Sequence, residues 1–392
     1  MATFYDRFMS KPVVASYCTT FLKQEMLHIY RQVTGLQEFS TFIMTKSREN
    51  DSLFPFDDVE VLPRPRINFL ARFHKKYIAR MEAVFYRGEY DQLNGVLSRR
   101  HADLLHVYFG HTGVHLLPFI RNWTGPSVVS FHGMDIMLRN NEPGYNDRLK
   151  ELLQVLPMVM ARSESLADRL VELGCDRKKI RINRTGIPMD AFPASVRSVP
   201  EDGKWVLVQA SRFIEKKGLL NTLEAFAEFR KQYPQATLVL AGDGPFKERL
   251  LQKADELGVR AAITLTGFLQ QQELSALYQK AHIFVHPSLT TAKGDREGVP
   301  NSLLEAMATG LPVAATQHGG IPEAVTDKAD GLLVAEGDSQ ALAEALLTMA
   351  GDAALYAALS QEASRSVREK FEHSRSIALL ESHYRELVGK AA

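Results

Sequence analysis

The chain has 392 residues, 45% hydrophobic and 24% charged, ordinary values for a soluble globular protein of two or three domains. Its 47 Lys and Arg against 46 Asp and Glu leave a charge of +1, without the basic excess of a dedicated nucleic-acid binder. No run of 18 apolar residues occurs, so a spanning helix is excluded, and Cys18 and Cys175 supply neither a disulfide framework nor, alone, a zinc site.

Asp6 and Arg7 fall where a signal peptide would need an apolar core, so a cytoplasmic protein is expected. Phe39–Met44, Leu104–Phe109, Ser127–Phe131 and Pro157–Ala161 are candidate strands of the first half. Between the first two, Pro63–Arg87 carries Arg64, Arg66, Arg72, Lys75, Lys76, Arg80 and Arg87 interleaved with Phe69, Phe73, Tyr77 and Phe85. Ile67, Leu70, Phe73, Tyr77, Met81 and Val84 approximate one helix face. Two readings stay open: a helix packed on its own sheet with a solvated basic face, or peripheral docking on the inner face of an anionic membrane. His106 and His111 lack the carboxylates or cysteines of a metal site and read as wall or core residues. His132 follows a strand and lies at the carboxyl edge of the first sheet, while Asp135 suits a helix cap as well as a substrate ligand.

Pro193–Lys204 is polar, holds two prolines and reads as a linker. It divides residues 1–195, with 26 basic and 21 acidic residues (net +5), from 196–392, with 21 and 25 (net −4). Beyond it, the apolar runs Trp205–Ala210, Thr237–Ala241, Ile263–Thr266, Ile283–His286 and Pro312–Ala315 alternate with amphipathic helical patterns. Such alternation predicts an α/β chain with a parallel sheet covered on both faces. The expected architecture is two doubly wound Rossmann-like domains, 1–195 and 196–372, facing each other across a cleft. A terminal helix at 373–392 would return toward the first domain. Ligands in such folds sit at the carboxyl ends of the strands.

Glu297–Gly310 (EGVPNSLLEAMATG) is the most informative stretch. Pro300 suits a first helical position, and the backbone N–H groups of Asn301, Ser302 and Leu303 then face outward at the positive end of the helix dipole. That is an anion site suited to a diphosphate. Glu305 lies roughly 7 Å further along the axis, within reach of a ribose, and Glu297 stands just before the helix. Alone, the two glutamates read as a dipole partner and a surface residue. Arg212 and Lys217, in SRFIEKKG after the Trp205–Ala210 strand, change this by placing two cations at the same sheet edge.

SRFIEKKG, LVLAGDGP, HPSLTTAKGDREGVPNSLLEAMATGLPVAATQHGGIPEAV and GLLV, in this order, resemble glycosyltransferase family 4, strongly over Trp205–Val334. These are retaining GT-B enzymes that use nucleotide sugars, and GDREGVPNSLLEAMATG is most similar to bacterial exopolysaccharide members of the colanic-acid type. The resemblance implies that Arg212 and Lys217 hold the diphosphate, Glu305 the ribose, and Gly267 and Phe268 the base. It implies that Glu297 contacts the donor sugar and that His132, in SFHGMDI, approaches the reaction centre. The glycine pair that many members carry after the first strand is missing. Val13–Glu25 instead resembles a subgroup pattern through Thr19, Thr20 and Glu25.

A hydrolase would use two carboxylates but has no purpose for the cations and the helix tip. A dehydrogenase would need GxGxxG after a strand, and a P-loop kinase GxxxxGK[ST]; neither occurs. The expected activity is hexosyl transfer from a nucleotide-diphosphate sugar, UDP before GDP, to a saccharide or lipid-linked acceptor in polysaccharide synthesis. No metal, cofactor or nucleic acid is expected. A non-catalytic nucleotide-sugar-binding module and a transferase acting on a small soluble acceptor are the alternatives.

Overall fold

The computed structural model describes residues 11–23, 26–136, 142–292 and 294–391, so Glu25 lies outside the described residues. The chain divides into two compact units. One comprises Met1–Arg162, Leu166–Asn183 and Ser374–Ala392; the other comprises Ser163–Ser165 and Arg184–His373.

The first unit holds a seven-stranded parallel sheet. Its strands are Val13–Phe21 (β1), Ser40–Arg48 (β2), Val59–Val61 (β3), Leu104–Tyr108 (β4), Ser127–Phe131 (β5), Met158–Ala161 (β6) and Ile180–Ile182 (β7), in the order β3-β2-β1-β4-β5-β6-β7. Val14 pairs with Thr41 on one side and Leu104 on the other, which fixes the register at the centre. β4 and β5 are buried along their whole length, as expected of strands covered by helices on both faces.

The second unit holds six parallel strands: Val206–Ala210 (β8), Thr237–Ala241 (β9), Ile263–Gly267 (β10), Ile283–His286 (β11), Val313–Thr316 (β12) and Leu332–Val334 (β13). Their order is β10-β9-β8-β11-β12-β13. The α/β doubly wound class predicted from the alternation is therefore the one observed. In each sheet the strand order reverses beside the first strand, between β1 and β4 and between β8 and β11. A crevice above the carboxyl ends at such a point is where doubly wound sheets bind ligands.

The helix His373–Ala391 completes the first unit. Tyr384 Oη lies 2.6 Å from His106 Nδ1, and Leu380, Tyr384 and Leu387 share a buried cluster with Val14, Leu104, Val128 and Met158. Glu381 Oε1 accepts hydrogen bonds from the backbone N–H of Gln37 and Glu38, each at 2.6 Å, and of Phe39 at 3.4 Å. The Pro193–Lys204 stretch lies in the second unit, where the buried Arg197 guanidinium donates to Gln279 O, Ala281 O and Thr309 O.

Pro63–Arg87 is not one continuous helix. Phe69–Phe73 is a short α-helix capped by the Asn68 side chain, and a wider π-type turn over His74–Ile78 continues it. Arg80, with φ 48°, interrupts the path before Ala83–Tyr86. No residue of the first two segments is buried, which overturns the reading of a helix packed on its own sheet. Val84 alone among the six face residues sits in the core.

Candidate functional site

The second unit gathers its chemistry at the carboxyl edge of the sheet, around the β8–β11 reversal. β8 is followed by Ser211, Arg212 and Phe213, and a short 3-10 turn over Glu215–Lys217 then leads to Gly218. Gly218 has φ +60°, and a Cβ there would lie 1.8 Å from Pro287 O, so only glycine lets this loop pack on the chain leaving β11. Lys217 is fixed by its own carbonyl, which accepts from Gln209 Nε2 at 2.8 Å.

Lys217 Nζ meets Glu297 Oε1 at 2.6 Å, with both side chains largely buried. Burial alone would raise the Glu297 carboxyl, but Lys217, His286 and Lys216 outweigh it and hold the group at about 2. Burial lowers Lys217, and its neighbours Lys216 and Arg212 act in the same direction; the Glu297 carboxylate opposes them. The contact at 2.6 Å is that of an ammonium with a carboxylate. Ser288 Oγ donates to the other Glu297 oxygen at 3.3 Å. A second buried pair lies alongside, Lys216 Nζ to Asp295 Oδ1 at 3.0 Å.

The backbone of Glu297 is held separately. Its N–H donates to His318 Nε2 at 2.8 Å, so Nδ1 carries the proton and donates to Glu336 Oε1, also at 2.8 Å. Glu336 Oε2 in turn accepts from Thr290 N–H at 2.6 Å. Gly319, with φ +53°, has no room for a side chain, since a Cβ would lie 2.1 Å from Glu297 O. His286, at the end of β11, is fully buried, and neither ring nitrogen has a hydrogen-bond partner among the described residues. Burial, with Lys217 nearby, lowers it to about 3 and keeps it neutral.

The helix Asn301–Ala308 starts one residue later than a proline at its first position would have it. Pro300 is the cap residue, and it brings no side-chain oxygen to the first-turn N–H groups of Asn301, Ser302 and Leu303. Glu305 is buried, 6% exposed, which overturns its reading as a surface residue. Its charge adds to burial in raising the Tyr278 hydroxyl, whose Oη donates to Ser302 O at 3.2 Å. Arg212 is exposed and makes no ion pair among the described residues. Gly267 ends β10 with φ +74° and open space around its Cα, beside Phe268, 53% exposed. Among the described residues, no group of three or more His, Cys, Asp and Glu is arranged to hold a metal.

Two family models cover most of the chain: Glycosyltransferase Family 4 over residues 49–191 and Glycosyl transferases group 1 over 193–366. The chain belongs to the group 1, family 4 glycosyltransferases. It is 34% identical over 253 residues to the putative colanic acid biosynthesis glycosyltransferase WcaL of Escherichia coli, covering 62% of this chain and 61% of that protein. It is 33% identical over 250 residues to the amylovoran biosynthesis glycosyltransferase AmsK of Erwinia amylovora, covering 63% and 61%. The chain thus spans about three fifths of the length of the curated relatives it matches. By fold it is similar to sucrose-phosphate synthase of Thermosynechococcus elongatus, with TM-score 0.77, 18% identity and coverage of 97% and 100%. It is also similar to HepE of Anabaena, with TM-score 0.76, 18% identity and coverage of 96% and 100%. These likenesses identify the GT-B class.

In the first unit, His132 follows β5 as expected. Asp135 serves the start of the helix Gly110–Ile120, as a cap would, and does not stand open to a ligand. It is buried, and its Oδ1 accepts from the N–H groups of His132 and Gly133, its Oδ2 from that of Gly110, all at 2.8 Å. The carboxylate thus shapes the His132 loop. His132 Nδ1 lies 3.2 Å from His28 Nε2, while its Nε2 is enclosed without a partner among the described residues. Burial, then His28 and Arg162, lower His132 well below the usual histidine range, so the ring is neutral. His106 is a core residue, bonded to Tyr384 and Ser130, whereas His111 is exposed. Thr19 and Thr20 bond Thr112 and Ser47 through their hydroxyls. Cys18 and Cys175 are buried free thiols. No single helix among the described residues is long and apolar enough to cross a membrane.

Sequence reasoning missed Lys216–Asp295, His318–Glu336 and His286. The available signal was a histidine directly before a glycine pair at a strand end, QHGG (Gln317–Gly320).

Proposed function

We propose that the protein is a retaining hexosyltransferase. It moves a hexose from a nucleotide-diphosphate sugar to a hydroxyl of a saccharide or lipid-linked acceptor, in the cytoplasm and in the service of cell-surface polysaccharide. The observation that carries this reading is the buried Lys217–Glu297 pair beside an uncapped helix start, with Arg212 exposed at the same strand edge. Lys217 spends one of its N–H donors on Glu297 and keeps two for phosphate oxygens. Arg212 and the N–H groups of Asn301, Ser302 and Leu303 add charge and dipoles where negative charge develops as the diphosphate departs. Glu297 turns its carboxylate to the donor sugar, Glu305 to the ribose, and the open backbone at Gly267 with Phe268 to the base.

No enzyme nucleophile is assigned. The acceptor hydroxyl attacks on the face from which the diphosphate leaves, and the leaving oxygen takes its proton. Two cations and a helix start meet the charge that a metal would otherwise balance, so activity should persist in EDTA. HepE has been crystallised with UDP and with UDP-glucose, and a mycobacterial relative 35% identical over 148 residues is GDP-mannose-dependent. UDP-sugars are favoured and GDP-sugars follow. Titration calorimetry with UDP-glucose and GDP-mannose tests the reading; binding of neither, nor of any other nucleotide sugar, would reject it.

A further inference from the structure

The segment between Asn68 and Glu82 exposes side chains that water does not favour. Phe69, Leu70 and Ile78 are 75%, 73% and 66% exposed, and Phe73 and Tyr77 about half. Phe69, Phe73 and Tyr77 recur every fourth residue, and their ring centroids lie 6.4 and 4.9 Å apart in sequence, so they form one continuous stripe. So short a helix is marginal in water, where its stability usually comes from burying an apolar face. The segment is anchored at its ends. Ile67 fills the space over Gly88, where a Cβ would lie 2.6 Å from Ile67 Cδ1, and Val84 enters the core.

Its charge is as lopsided as its exposure. Between Arg64 and Arg87 stand seven Lys and Arg against one acid, Glu82. At about 100° per residue, Phe69, Leu70, Phe73 and Tyr77 fall on one arc, and Arg72, Lys75 and Lys76 on the arc beside it. Lys76 Nζ lies 4.7 Å from the Tyr77 ring centroid, joining the two arcs.

We propose that residues 64–82 dock this protein on an anionic lipid bilayer. The Phe69–Phe73–Tyr77 stripe and Leu70 enter the interface, and Arg64, Arg66, Arg72, Lys75, Lys76 and Arg80 meet lipid phosphates. Charge favours this occupant, because the same segment of a second copy would bring like-charged surfaces together. Glu82 and Ala83, at the end of the segment, also line a groove of about 420 Å³ with His111, His115 and Arg148. A molecule carried in the bilayer surface would therefore stand beside polar side chains. The proposal concerns where the protein works and does not depend on which sugar it moves.

The test is co-sedimentation of the full chain with phosphatidylcholine vesicles, with and without about 30 mol% phosphatidylglycerol. Anionic vesicles should retain at least about tenfold more protein than neutral ones, and about 0.5 M salt should release it. Leu70→Asp with Tyr77→Asp, and separately Arg72→Glu with Lys75→Glu, should each weaken retention about tenfold. Neither changes a buried residue, so circular dichroism and nucleotide-sugar binding should stay as in the wild type. Retention of either variant at the wild-type level, or equal binding to neutral vesicles, would overturn the proposal. So would a drop in oligomer mass by light scattering in the Leu70→Asp, Tyr77→Asp variant with vesicle binding unchanged, since the stripe would then be a self-association surface.

Discussion

Lys217 and Glu297 come from loops 80 residues apart and meet at 2.6 Å where little water reaches them. A buried pair broken on one side leaves an uncompensated charge, which costs about 3 kcal/mol or more. Glu297→Gln and Lys217→Ala should each lower the unfolding midpoint of the second unit and reduce kcat about a hundredfold or more. Wild-type-like turnover in Lys217→Ala would remove this residue from the donor site. The pH dependence carries a sign. Glu297 is held at about 2 against an ordinary 4.5, so its stabilisation is complete above 4.5 and is lost as pH falls toward 2. Thermal melts of Glu297→Gln should therefore vary less across that window than those of the wild type.

Arg212 offers the opposite balance. It is exposed and carries no structural pair, so Arg212→Ala should leave stability within about 0.5 kcal/mol of the wild type. Affinity for UDP should nevertheless fall about tenfold, and affinity for uridine should not change. Calorimetry with both ligands separates the two. Equal losses would place Arg212 elsewhere than at the diphosphate.

The helix start is testable through a single atom. Pro300 has ψ 127°, which a following proline accepts, so Asn301→Pro removes one N–H and keeps the helix. Asn301→Ala keeps that N–H and removes the same side chain. Diphosphate affinity should be several-fold weaker in the proline variant than in the alanine variant.

His318 acts as a positioning residue through the Glu297 backbone. His318→Phe strands a Glu297 N–H without its acceptor, and kcat should fall about tenfold with little change in donor KM. His318→Gln presents an oxygen in place of Nε2 and should recover part of the loss. A purely space-filling role would show no such recovery.

In the first unit, Glu381 collects three backbone N–H groups and Tyr384 satisfies a buried histidine. Glu381→Ala should destabilise that unit by about 2 kcal/mol and Tyr384→Phe by about 1 kcal/mol. Nucleotide binding by the second unit should be untouched in both. Two-transition melts would show the first unit's transition moving alone.

The central strands β8, β11 and β12 of the second unit were legible because they are buried on both faces and so read as short apolar runs between amphipathic helices. The meeting of Lys217 with Glu297 near a helix start was legible because both follow strands of one parallel sheet and so fall at its carboxyl edge. His318 and Glu336 were not, since their partnership is made by Gly319 touching Glu297 O, a contact between distant loops with no local signature. Taken alone, Glu305 reads as a surface residue because helical spacing does not reveal which face the next helix covers; its burial was not legible. Pro63–Arg87 followed a helical period that Arg80 interrupts, and periodicity carries no mark of whether a stripe finds a core or a solvent.

The helix His373–Ala391 sets an order of synthesis. The second unit is almost continuous in the chain, from Arg184 to His373, whereas the first is completed only by Ser374–Ala392. A ribosome delivers the second unit's residues before the helix that covers Val14, Leu104 and Val128. The domain that begins first is therefore finished last, and its uncovered apolar cluster is exposed to chaperones and proteases until the final turns of helix emerge.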